Sequence, residues 1–208
     1  MPGAGETFVS SVSQTRPLDE PREVERVPMW LAIAITVAVS LPFGLWLGNF
    51  NLPLWVSFIV WAEYFQLGAK PSAILVIVPA FLVGVGVALL ITTANVILEA
   101  LTDERAIVAS GDVAAFVAFF FGFCVLLYAV RFVPLPLDTT ASLPFFNGIS
   151  MMLGVFFTGA FLTAAPEAEG TALEPAVAAV GVSLAMALGC FLGWFNVAIL
   201  FRRSTPDA

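Results

Sequence analysis

Long apolar runs follow one another along this chain, and the polar positions gather in the short gaps between them. A helix needs roughly 20 apolar residues to cross a hydrocarbon core of about 30 Å. Six such runs are read, at about residues 28–48, 52–68, 71–98, 112–132, 142–164 and 175–201. They predict an all-α polytopic membrane protein with six transmembrane helices as a 3+3 inverted repeat. Its second and fifth segments are expected to be short or broken.

Punctuation between the runs sharpens their boundaries. Trp30 and Trp46 sit near the two ends of the first run, where interfacial aromatics belong, and Pro42 and Gly44 predict a loosened turn in its last third. Asn49 to Asn51 predicts a tight turn. The second run spans roughly 25 Å as a helix, so it is a thin span or a broken half-helix. Gly68 stops it and Pro71 opens the third run, in which Gly84 and Gly86 suit close helix packing. Glu99 to Gly111 is a polar loop, and Asp112 can cap or favour the start of the fourth run. Arg131 closes that run, and the stretch from Val133 to Asp138 is a rigid Pro-rich connector. Gly148, Ser150, Gly154, Thr158 and Gly159 make the fifth run one of small residues.

Three domains follow: a disordered cytoplasmic tail over residues 1–27, a six-helix domain over 28–203, and a short cytoplasmic tail over 204–208. The tail lacks the basic start and early apolar core of a cleaved signal, so it is expected to be retained. The basic residues orient the bundle. With the N-terminus inside, Arg16, Arg22, Arg26, Lys70, Arg131, Arg202 and Arg203 all fall inside, and only Arg105 falls outside. That asymmetry predicts the plasma or inner membrane as location, with both termini cytoplasmic.

The halves echo one another. Leu52-Pro53 opens the second run and Leu143-Pro144 the fifth, and Asn95-Val96 near the end of the third run matches Asn196-Val197 in the sixth. Three spans per half is an odd number, so the halves must enter the membrane in opposite senses. In transporters built this way, sites form near the midplane where the halves meet.

Composition agrees with the pattern and removes several function classes. The 208 residues are 60% hydrophobic and 11% charged. Soluble domains run about 45–50% apolar and about 25% charged. The net charge is −7, which argues against a nucleic-acid partner. There is no histidine, and Cys124 and Cys190 both lie inside apolar runs. A Cys/His zinc site, a Ser-His-Asp triad and a histidine proton shuttle are thereby set aside. With no carboxylate pair and no Gly-rich phosphate loop, no reaction class emerges. The expectation is a non-enzyme with no metal and no cofactor.

Candidate chemistry lies in the polar residues that the apolar runs carry. Glu63 stands inside the second run, and an ionisable group in a membrane segment marks a functional site by default. A polar path is expected, with Thr163 and Asn95 in the outer half and Glu63, Gln66 and Asn196 in the inner half. Tyr64 or Trp61 would form an aromatic constriction. In the alternative, Glu63 reaches the cytoplasmic surface, or pairs with Lys70 or Arg131 to lock helices together.

The stretch Phe58, Trp61, Ala62, Tyr64, Phe65 and Gly68 resembles the F-x-x-W-A-x-Y-F motif and following glycines of the domain of unknown function 1097 family. These are small prokaryotic inner-membrane proteins. The segment from Phe156 to Thr163 resembles that family's second small-residue, Phe-rich stretch. The family's usual double Gly is here Gly68-Ala69, and Glu63 occupies a position commonly small or polar. The resemblance implies a membrane protein but neither a substrate nor a reaction.

The reading is therefore a small channel or permease for a small neutral or cationic solute. The alternative is a non-transporting membrane scaffold or accessory subunit. Expected partners are the lipid bilayer and the solute. A 22.1 kDa bundle is thin for a pore, which points to a homo-oligomer.

Overall fold

The computed structural model describes residues 23–101, 110–135 and 139–203. Six α-helices carry the chain: α1 Met29–Leu45, α2 Leu54–Gln66, α3 Ile74–Glu99, α4 Ser110–Val130, α5 Ser142–Thr158 and α6 Glu174–Leu200. A hydrophobic segment with no water around it must satisfy its backbone internally, and a helix does so within itself. α3 with its leading turn (29 residues) and α6 (27 residues) are long and apolar enough to cross a membrane; α1, α5 and the 115–130 stretch of α4 are shorter apolar helices. α2 has 13 residues, or about 20 Å of rise, so the expected short second segment is realised as a stub.

Helix ends follow local chemistry. Pro42 lies in the last turn of α1, which stops at Leu45. α5 ends before Gly159, whose φ of 61° turns the chain out of the helix. That stop is earlier than the expected end near Thr163; residues 162–164 form a separate short turn. α2 ends on Gly68 and Ala69, both left-handed, with the Ala69 amide donating to the Tyr64 carbonyl at 2.9 Å. α4 begins at Ser110, so Asp112 lies inside its first turn, the position that favours a helix start by charge rather than by capping. Part of the Pro-rich connector, at 136–138, lies outside the described residues, as does most of the polar loop at 102–109.

The two ends of the bundle's chain meet. Glu23–Glu25 pairs antiparallel with Phe201–Arg203, and the Arg26 amide donates to the Leu200 carbonyl at 2.8 Å. Regular structure is thus already present before residue 28, because a strand partner at the other end takes up the backbone groups of Glu23–Glu25. The first 22 residues of the expected tail, and 204–208, lie outside the described residues. The start of α1 and the end of α6 share one face of the molecule, the ribbon face.

Packing pairs each short helix of one half with a long helix of the other. α5 crosses α3 backbone to backbone: a Cβ on Gly84 would strike the Phe145 carbonyl, and one on Gly148 the Phe81 carbonyl. α2 lies on α6 in the same manner. The Ser57 hydroxyl donates to the Ala185 carbonyl at 2.8 Å, Gly189 abuts the Ser57 carbonyl, and Gly193 abuts the Tyr64 ring. Both pairs run parallel. α1 packs on α6 and α4 on α3 outside them.

The outer surface is apolar. Leu75 and Val125 are exposed, as are Phe116, Phe120 and Phe121 of the α4 aromatic block. Continuous exposed apolar surface of this kind is rare on proteins surrounded by water. Trp30 and Trp46 are 71% and 76% exposed at opposite ends of α1, about 24 Å apart along its axis.

Candidate functional site

α2 and α5 form the one antiparallel contact between the two short helices. At one end of it the Trp55 ring sits against Gly154; at the other, Glu63 meets Asn147. Asn147 Nδ2 donates to Glu63 Oε1. Glu63 belongs to the first three helices and Asn147 to the last three, so this bond joins the halves. Glu63 is 2% exposed.

The bond uses only part of what is buried there. Glu63 Oε2, the Tyr64 hydroxyl and Trp61 Nε1 are buried with no protein partner. Buried polar atoms are nearly always satisfied, since stranding one costs about 1–3 kcal/mol in proteins. Three such atoms within one helical turn of a single helix are a concentration of unspent hydrogen-bonding capacity.

The other predicted site residues are placed as follows. Tyr64 is fully buried beside Gly193, and Trp61 is 9% exposed and packs with Leu188 and Leu192. Asn196 Nδ2 donates to Thr36 Oγ1 at 2.9 Å, which in turn donates to the Ala32 carbonyl at 2.8 Å. Asn95 Nδ2 donates to Glu99 Oε1 at 2.8 Å near the far end of α3. Gln66 is exposed at the last residue of α2. Thr163 is exposed and donates to the Asn49 carbonyl at 3.0 Å, tying two loops together. Its side chain sits outside the interior because α5 has ended before it.

The buried polar residues thus form three separate places, with Gln66 and Thr163 exposed apart from them. Glu63 pairs with neither of the basic residues considered for it. Lys70 is exposed, and the Arg131 guanidinium lies 5.0 Å from the Tyr128 ring centroid and 5.6 Å from that of Phe132. Asn147 is the partner that the sequence reading passed over. Its signal was present: it is the one carboxamide in α5.

Several open cavities flank the bundle, two of them the larger. An apolar one of about 520 Å³ lies between Phe43, Phe50, Leu184 and Phe191, and a polar one of about 460 Å³ touches Asn95, Glu99 and Glu174. Glu63 lines neither. Among the described residues no group of three His, Cys, Asp or Glu side chains is placed to hold a metal. Cys190 is buried and Cys124 exposed, each as a free thiol.

Six apolar helices with lipid-compatible outer faces and isolated buried polar groups have the build of a polytopic membrane protein. The chain belongs to the family described as Protein of unknown function (DUF1097), whose match covers residues 30–199. No curated protein and no solved structure matches it.

Proposed function

We propose that the protein is a six-span permease or channel of the 3+3 inverted-repeat type, passing a small neutral or cationic solute between its halves. The exchange of packing partners supports the repeat. α5 on α3 and α2 on α6 are the same arrangement under a two-fold operation, as are α4 on α3 and α1 on α6. An operation that swaps α2 with α5 must act between two antiparallel helices, which is how they meet.

The observation that carries the permeation reading is the Glu63–Asn147 bond across that junction, with Glu63 Oε2 and the neighbouring Tyr64 hydroxyl left unpartnered. An acid at the junction of two oppositely threaded halves is where sites form in proteins of this plan. The ribbon joining the ends supports an even number of crossings. Arg26 precedes α1, Lys70 lies between α2 and α3, and Arg131 follows α4, all at helix ends on the ribbon side, which favours that face as cytoplasmic. The membrane in question is then the plasma or inner membrane.

A non-transporting scaffold or accessory subunit is the second reading. It is favoured by the closed state of the junction, since among the described residues Glu63 lines none of the cavities found. Uptake of labelled small solutes into proteoliposomes separates the two. The permeation reading expects uptake above empty vesicles, reduced about tenfold or more in Glu63→Gln, a variant whose Oε1 can still accept the hydrogen bond from Asn147 Nδ2. Equal uptake by native protein, variant and empty vesicles across neutral and cationic solutes overturns it.

A further inference from the structure

The closed junction has to accommodate an acid and holds no positive charge to balance it. Asn147 Nδ2 donates to Glu63 Oε1, while Glu63 Oε2 is buried without a partner. The carboxamide is neutral, so that bond satisfies an oxygen and balances no charge. The helices packed against α2 are α1, α3, α5 and α6. Together with α2 they contain no Lys, Arg, His or Asp. Their titratable groups are Glu63 and Tyr64 on α2, Glu99 at the end of α3, and Glu174 and Cys190 on α6. Each of these is neutral or negative, never positive. Cys190 is buried and near enough to feel the charge of Glu63, whereas Glu99 and Glu174 lie at the helix ends away from the ribbon. Of the basic side chains described, Arg26, Lys70 and Arg131, all are exposed.

We infer that Glu63 is a proton-binding site, which carries its proton on Oε2 while the two halves are closed. A carboxylate withdrawn from water with no cation beside it is so costly that the group takes up a proton instead. A stranded hydroxyl costs far less than a stranded charge. The two oxygens divide as a neutral acid requires: Oε1, which has the donor, is the carbonyl oxygen, and Oε2 is the hydroxyl. When the junction opens to water, the O–H bond breaks, the proton passes to water and its electron pair stays on the carboxylate. The halves close again only with a proton or a cation at that oxygen. Within the permeation reading, on which this consequence alone rests, a cationic solute that reaches Glu63 displaces the proton.

The test reads the proton, not flux, so the two ideas can fail separately. Infrared spectra of the full chain in lipid vesicles at neutral pH should contain the C=O stretch of an un-ionised carboxylic acid. Glu63→Gln should remove that band, and Glu174→Gln, at the far end of α6, should leave it unchanged. Asn147→Ala takes the donor away from Oε1 and so strengthens the C=O bond; the band should move to higher frequency, a readout that leaves Glu63 itself in place. Absence of the band from the native chain, its survival in Glu63→Gln, or an unmoved band in Asn147→Ala would each overturn the proton site. A native band that Glu63→Gln removes, without any uptake in proteoliposomes, would leave the proton site standing and remove the permeation reading alone. Uptake that depends on Glu63, from a chain with no such band, would do the reverse.

Discussion

Asn147 meets Glu63 through a single bond, and the cost of losing it can be anticipated. Asn147→Ala leaves a buried carboxyl with no side-chain donor from α5. The variant should lose about 1–3 kcal/mol of stability, measured by SDS titration in mixed micelles. No change would mean that Glu63 finds another partner. Ala69 is the second residue of interest, since it takes φ 55° at the end of α2. A Cβ in that conformation costs roughly 1–2 kcal/mol, so Ala69→Gly should stabilise the protein by about that amount in the same titration. This also gives a physical reason for a glycine pair after the Tyr-Phe motif: both positions turn left-handed. Glu63 was legible in the sequence because a charge in an apolar run is conspicuous. Asn147 was not, because it lay in a segment already explained by its small residues. Gln66 and Thr163 are exposed, which polarity alone does not reveal: Gln66 is the last residue of α2, and Thr163 lies in the short turn beyond the end of α5.

At the level of elements, the boundaries were legible wherever Gly or Pro punctuated the chain. The stops at Gly68 and Gly159 follow from left-handed glycines. Which helix touches which was not legible. A helix that is apolar on all sides has no polar face to mark its exterior, so periodicity is silent about neighbours. Glycine spacing carried the missing information. Gly84 and Gly148 meet where α3 and α5 touch backbone to backbone, and Gly189 and Gly193 lie against α2. Gly148→Val should therefore push the Phe81 carbonyl away and cost about 1–3 kcal/mol, whereas Gly86→Val, which faces open space, should cost far less. Equal losses at both positions would contradict the crossing.

For the whole molecule, the strand ribbon fixes both ends of the bundle on one face, and the exchange of helix partners relates its halves. The proposed repeat has its sequence outline in Leu52-Pro53 against Leu143-Pro144, which open α2 and α5. Its polar content is unequal: where one end of the α2–α5 contact has Glu63 and Asn147, the other has Trp55 and Gly154. The proposed permeation site is therefore placed at one end of this junction, toward the ribbon face. That claim requires water and small cations to reach position 63 in some state of the protein. The direct measurement places Glu63→Cys in a chain carrying Cys124→Ser and Cys190→Ala, and follows modification by a small cationic methanethiosulfonate in proteoliposomes. The account predicts modification from the ribbon side at a rate well above that of Cys190 in the chain carrying only Cys124→Ser. Labelling as slow as at Cys190 from both sides would contradict it.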